Sequence, residues 1–189
     1  MTDADITIDL DRALAATAAV VAAIEPGQWT APTPCAELDV RAELNHLVRG
    51  NLVFVAIIGG ERWPALGTDH LGDDPLAAYQ RAAARLREAF ATPGVLETVY
   101  TAPFGKGPGS RLAHVRVVEV LVHGWDLARA TGQASAAFPQ DVAERALARS
   151  RRHLTTRPEG PGAPFAPEVP VPDDAPAVDR LAGFLGRRV

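Results

Sequence analysis

A glutamate and a histidine interrupt the most apolar stretch of the chain. Glu119 and His123 lie in a run rich in valine, leucine and tryptophan between residues 115 and 127. Because the two residues are four apart, a helix would place their side chains one above the other on a single face. Burying a carboxylate without a partner costs several kcal/mol in order of magnitude. Glu119 therefore needs a neutralising partner, and a divalent metal ion would serve.

A third candidate ligand lies in an earlier apolar segment. His46 shares a helical face with small and apolar residues, Gly50 and Val53 among them. Two imidazoles and one carboxylate from two facing helices make a three-ligand metal site, which leaves coordination positions open to water or substrate. The spacing therefore predicts a site formed by His46, Glu119 and His123.

Each of these residues also has a simpler interpretation. A glutamate and a histidine four apart can form an ordinary surface pair, although the valines around Glu119 and His123 indicate burial. A histidine on an apolar face is more often a hydrogen-bonded core residue than a metal ligand. From the residues alone, both interpretations of His46 stay open.

Two further residues could belong to the site. Asp126, three residues after His123, could accept an imidazole N–H or act as a fourth ligand, and it could equally pair with Arg129. Cys35 has no base or cation beside it in the sequence and is predicted to be a small buried hydrophobe rather than a reactive thiol. The remaining histidines have no partner at ligand spacing and are predicted to lie at the surface: His70, His114 and His153.

The elements that must position these residues are helices. Apolar residues recur at helical spacing, and prolines, glycines and capping residues mark where each segment ends. The predicted helices cover about 6–24, 40–58, 75–90, 111–131, 140–154 and 177–185. The predicted N-caps of the second, third and fourth helices are Asp39, Asp74 and Ser110.

Two segments between the helices have a different character. Residues 96–110 contain a short β-prone run and turn residues, which predict an irregular or hairpin-like crossover. Residues 157–176 are rich in proline and are predicted to extend along the surface. The whole pattern predicts an all-α fold, a four-helix bundle with additional short C-terminal helices. We expect one domain over 1–189, with the bundle core at about 5–155 and a C-terminal extension at about 156–189.

Composition excludes several classes of partner. The net charge is −4 and the charges are scattered, so nucleic acid has little to bind. The first residues are acidic where a secretion signal would be basic, and the apolar run after Asn51 is too short to cross a membrane. A single cysteine cannot form an internal disulfide. We expect a cytoplasmic protein without nucleic acid or membrane partners.

Five motifs resemble those of the DinB-like metal-binding bundles, in particular the mycothiol-dependent maleylpyruvate isomerase N-terminal domain family. They cover most of the chain, and the fourth is the most specific. They are W-T-A-P-T-P-C from Trp29, V-R-A-E-L-N-H-L-V from Val40, G-D-D-P from Gly72, E-V-L-V-H-G-W-D-L-A from Glu119, and V-P-V-P-D-D-A-P from Val169. Two positions differ from the family: Leu38 replaces a frequent tryptophan, and Arg49 replaces a small residue close to the site.

The resemblance implies a DinB-like four-helix core that binds zinc, or else nickel or iron, through His46, Glu119 and His123. It also implies that the ion activates mycothiol or a similar small thiol for transfer to a small electrophile. Full-length isomerases of the family have a further domain after the bundle, so the resemblance implies thiol S-transfer rather than isomerisation of maleylpyruvate.

Two other functions stay open at this point. Two histidines and a carboxylate with free positions also suit non-haem iron and oxygen chemistry. A non-catalytic metal-binding module, or a homodimer formed through an apolar helix face, is equally compatible with the fold, since a fold does not imply an activity.

Overall fold

The computed structural model describes residues 3–35, 38–154 and 165–189, and these residues form a helical bundle with one small hairpin. The helices are α1 Asp3–Ala22, α2 Val40–Gly59, α3 Pro75–Ala91, α4 Gly109–Ala130, α5 Gln140–His153 and α6 Ala177–Phe184. The antiparallel strands are β1 Val99–Ala102 and β2 Gly105–Pro108, with Val99 opposite Pro108. The all-α prediction is confirmed, and the predicted crossover contains a hairpin.

The second and third helices begin where their sequences predict. The Asp39 side chain accepts a hydrogen bond from the Ala42 N–H at 2.8 Å, which satisfies one of the free donors at the start of α2. Asp74 does the same for Ala77 at the start of α3. Helix α2 ends at Gly60, whose φ of +67° is the left-handed conformation that favours glycine.

The fourth helix begins differently from the prediction. It starts at Gly109, and no side chain caps it, so the predicted capping role of Ser110 is wrong. Backbone carbonyls of the loop between α3 and β1 take over that role. The Gly109 N–H donates to the Thr98 carbonyl and the Ser110 N–H to the Leu96 carbonyl, both at 2.9 Å.

Helix α4 lies at the centre of the bundle. It packs against α1 and α2, while α2 and α1 also pack against α3. Helices α1 and α4 approach closely at Gly124, and near this point the buried Thr17 hydroxyl donates to the Val120 carbonyl at 3.2 Å. The apolar character of α4 is explained by this position, since Leu121 and Trp125 are inaccessible to solvent.

The C-terminal helix closes one end of α4. The Trp125 indole N–H donates to Asp179 of α6 at 2.6 Å, and both side chains are buried. Before α6, the chain runs alongside this helix, and the Val169 N–H donates to the Gly183 carbonyl at 2.9 Å. Residues 157–164 of the predicted extended segment lie outside the described residues.

None of the helices in the described ranges has both the length and the apolar character needed to cross a membrane.

Candidate metal site

Helices α2 and α4 bring two of the three predicted ligands together. The ring centres of His46 and His123 are 4.8 Å apart, and the ring planes are tilted by 59°. Two imidazole nitrogens bound at about 2 Å to one tetrahedral ion would place their ring centres roughly 5 Å apart. The observed spacing therefore suits shared coordination of a single ion.

The ring of His123 is anchored on one side by carboxylates. Its Nδ1 lies 2.8 Å from Glu43 Oε1 and 3.5 Å from Asp126 Oδ2. The pKa of His123 is held well above its usual value, so the ring is protonated and Nδ1 donates a hydrogen bond to Glu43. Metal-binding histidines are commonly oriented by such a hydrogen bond. The other ring nitrogen, Nε2, is then the one available to an ion.

Glu43 is the main residue that the sequence analysis missed. It lies three residues before His46 and is inaccessible to solvent, and its Oε2 has no hydrogen-bond partner among the described residues. Burial raises the pKa of Glu43 to about 7, although the hydrogen bond with His123 works in the opposite direction. The signal in the sequence was a glutamate on the apolar face of α2.

Cys35 is also part of this group. Ligand atoms of Cys35, Glu43, His123 and Asp126 all lie within 4.8 Å of one another. Cys35 is half-buried and lies beside a histidine, so it is not the buried hydrophobe that the sequence predicts. Cys35 lies in the loop between α1 and α2, and a hydrogen bond from the Val40 N–H to the Ala31 carbonyl connects this loop to the start of α2.

Asp126 forms its ion pair with the C-terminal end of the chain. Its carboxylate accepts hydrogen bonds from Arg187, the shortest at 2.9 Å from Nη2. Arg129, the predicted partner, instead lies over the Trp125 ring with its guanidinium carbon 5.7 Å from the ring centre. Burial works against ionisation of Asp126, but the hydrogen bonds with His123 and Arg187 outweigh it and lower the pKa.

The two histidines differ in their protonation. Burial lowers the pKa of His123, but hydrogen bonds with Asp126, Cys35 and Glu43 outweigh this effect and hold the pKa well above its usual value. The pKa of His46 is lowered to about 4, mainly by desolvation and also by the charge of His123 and nearby arginines. His46 is exposed, although enough of its ring is packed against protein for desolvation to lower its pKa. It is therefore neutral at pH 7 and able to bind an ion.

Glu119 is placed differently from its prediction. Its side chain is 35% exposed, and its Oε2 accepts a hydrogen bond from Arg116 at 2.7 Å. The inference that Glu119 is buried and needs a metal to neutralise it is therefore wrong, because Arg116 already does so. Within the described part of the chain, the group of ligand atoms that surrounds His123 includes neither Glu119 nor His46.

The remaining histidines divide into two groups. His153 is exposed, as predicted. His70 and His114 are half-buried rather than at the surface; the backbone N–H of His70 donates to Asn45 Oδ1 at 2.7 Å, and burial lowers the pKa of His114 to about 4. None of these three belongs to the group around His123.

The chain is similar to proteins of one family. The family model of the mycothiol maleylpyruvate isomerase N-terminal domain matches residues 10–128, which include Cys35, Glu43, His46, Glu119, His123 and Asp126. Two uncharacterized proteins of Mycobacterium tuberculosis, from strains CDC 1551 and H37Rv, are each 40% identical over 180 residues. The alignment covers 94% of this chain and 95% of each relative.

Solved structures support the same assignment at the level of the fold. Crystal structures of the mycothiol-dependent maleylpyruvate isomerase and of its variant with a histidine replaced by alanine superpose with TM-scores of 0.61 and 0.64, at 14% and 13% identity. Each alignment covers 78% of this chain and 68% of the other. The predicted DinB-like bundle is thus confirmed, and the chain belongs to the mycothiol maleylpyruvate isomerase N-terminal domain family.

Proposed function

We propose that this protein is a metal-dependent thiol S-transferase that holds one divalent ion, zinc first among candidates, on His46, Glu119 and His123. The observation that carries the proposal is the meeting of two imidazoles from facing helices, with ring centres 4.8 Å apart and His46 exposed to solvent. Membership of a family named for a mycothiol-dependent enzyme supports a small thiol as cosubstrate.

The donor set fits a divalent ion with open positions. His46 is neutral because of its lowered pKa, and His123 presents Nε2 because Nδ1 is held by Glu43. A bound divalent ion lowers the pKa of a coordinated thiol, so that the thiolate forms at neutral pH. The chain's own residues orient the ligands and exclude water on the buried side, where Glu43 and Asp126 lie.

The test of this activity is conjugation of mycothiol, or a simpler thiol, to a panel of small electrophiles by the zinc-loaded protein. We expect turnover above the uncatalysed rate in the wild type and none in His46→Ala. His46 is exposed, so its removal leaves the fold intact. A wild type that binds zinc but shows no thiol-dependent turnover across the panel would contradict the transferase assignment.

A second function is favoured by one specific observation. Cys35, Glu43, His123 and Asp126 could together hold an ion with four protein ligands and no open position, as in a structural or storage site. Asp126 of this set is already paired with Arg187, just as Glu119 of the first set is paired with Arg116. The two ligand sets share only His123, so variants at His46 and Cys35 distinguish them.

Uptake of the ion is predicted to release about one proton per ion near pH 6.5. His123 is protonated there because its pKa is raised, and the ion replaces the proton on Nε2; His46 is already neutral. Calorimetry in buffers of different ionisation enthalpy measures the number of protons released per ion. The release should fall as the pH rises above the His123 pKa, and it should also be smaller in Glu43→Gln. Release that does not vary with pH would contradict the assignment of His123 as a ligand.

A further inference from the structure

A buried arginine connects the two helices that carry the predicted ligands. Arg116 of α4 is inaccessible to solvent, and its guanidinium donates to acceptors on both helices. On α2 it reaches Asn51 Oδ1 at 2.9 Å and the Leu47 carbonyl at 3.1 Å. On α4 its Nη1 reaches Glu119 Oε2 at 2.7 Å. One side chain therefore links the helix of His46 to the carboxylate of Glu119.

The space that this guanidinium occupies exists because residue 50 is glycine. A Cβ placed on Gly50 would lie 2.5 Å from Nη1 of Arg116, too close for two atoms that are not bonded unless one of them moves. Nη1 is the same nitrogen that donates to Glu119. Gly50 does not have a positive φ, so it is the close approach of Arg116, and not the backbone, that excludes a side chain here.

The contact leaves one oxygen of Glu119 for another partner. Oε2 is held by Arg116, whereas Oε1 accepts no hydrogen bond from any described residue, and the carboxylate is partly open to solvent. A ligating carboxylate is commonly fixed by a hydrogen bond to its second oxygen. A lysine could not replace the arginine, because one ammonium group cannot reach acceptors that the planar guanidinium reaches on several sides.

Building on the proposed function, we infer that Arg116 is a positioning residue for the metal ligand Glu119, and that Gly50 provides the space for its guanidinium. Arg116 does not touch the ion or the thiol. It fixes Oε2 of that carboxylate by a hydrogen bond and leaves Oε1 free to bind the ion.

The experiment measures Zn²⁺ and Co²⁺ affinity by chelator competition for the wild type, Arg116→Lys and Gly50→Ala. We expect both variants to bind about 10–100-fold more weakly, the usual effect of losing a hydrogen bond to a metal ligand. Gly50→Ala is the sharper test, because it keeps every ligand and every charge. Matched controls are Gly27→Ala, where a Cβ meets no atom within 4 Å, and Arg129→Lys at an exposed position of α4; both should stay within about twofold of the wild type.

A second measurement separates positioning from a general structural role. In a Glu119→Gln background, Arg116→Lys should cause no further loss of affinity, because Arg116 acts through Glu119. An equal loss in both backgrounds would overturn the inference, as would wild-type affinity in Gly50→Ala or, where it folds, in Arg116→Lys. If the wild type binds neither ion, the proposed function fails and this inference fails with it; binding that the variants leave unchanged overturns the inference alone.

Discussion

Replacing His123 with alanine is expected to lower the free energy of unfolding of the metal-free protein by roughly 2–4 kcal/mol. The reason is that Glu43 and Asp126, both inaccessible to solvent, would lose their shared partner. Glu43 can relieve part of the cost by taking up a proton, since burial already raises its pKa. Chemical denaturation in the presence of a chelator measures the change.

The matched control is His46→Ala under the same conditions. His46 is exposed and makes no hydrogen bond with any described residue, so its removal should change stability by no more than about 0.5 kcal/mol. Both variants should lose the ion. The structure gives only His123 of this pair contacts with buried carboxylates. Equal destabilisation by the two substitutions, or none by His123→Ala, would contradict it.

Gly109→Ala is expected to destabilise the protein by about 3 kcal/mol or more. A Cβ at this position would lie 2.0 Å from the Val95 carbonyl oxygen and 3.2 Å from the Leu96 Cα. These are backbone atoms, so no side-chain rotation can relieve the clash. The loop would have to move away from the start of α4 and break the hydrogen bond from the Gly109 N–H to the Thr98 carbonyl.

Thermal and chemical denaturation of Gly109→Ala measure this effect. Gly27→Ala serves as the control, because a Cβ there meets no neighbouring atom and the residue does not have a positive φ. It should be neutral or slightly stabilising. A Gly109→Ala variant as stable as the wild type would show that the loop between α3 and β1 can move away from α4 at no cost, which would contradict this prediction.

Local signals in the sequence were sufficient to predict most of the fold. Helix α2 begins at Asp39 and ends before Gly60 because capping and left-handed termination depend on residues next to one another in the chain. The start of α4 could not be predicted in this way. Its N–H groups are satisfied by carbonyls of Leu96 and Thr98, and that contact depends on how the whole crossover folds.

The histidine pair was accessible to sequence reasoning, and the residues around it were less so. Helical periodicity placed His46 and His123 among apolar residues of separate helices, and from this the sequence predicted that they meet. Arg187 lies 61 residues after its partner Asp126, and no local pattern links them. Cys35 lies in the loop before α2. The sequence of that loop has no periodic pattern, so its path into the site could not be predicted.

The prediction for Glu119 started from a correct observation, its apolar neighbours, and reached the wrong conclusion that the carboxylate is buried. Its apolar neighbours indicated burial, but Arg116 stands only three residues earlier and lies on nearly the same helical face. The (i, i+3) ion pair could have been read from the sequence. Its consequence could not, because the same guanidinium also binds α2 at Leu47 and Asn51, and the Glu119 carboxylate is left 35% exposed.

The most direct test of the metal site is elemental analysis of untagged protein for the wild type, His46→Ala and Cys35→Ser. The site on His46, Glu119 and His123 predicts about one zinc or related ion per chain in the wild type. It also predicts loss of the ion in His46→Ala and retention in Cys35→Ser. Loss in Cys35→Ser with retention in His46→Ala would place the ion among Cys35, Glu43, His123 and Asp126 instead. A wild type that carries no ion and takes up none would contradict the proposed site altogether.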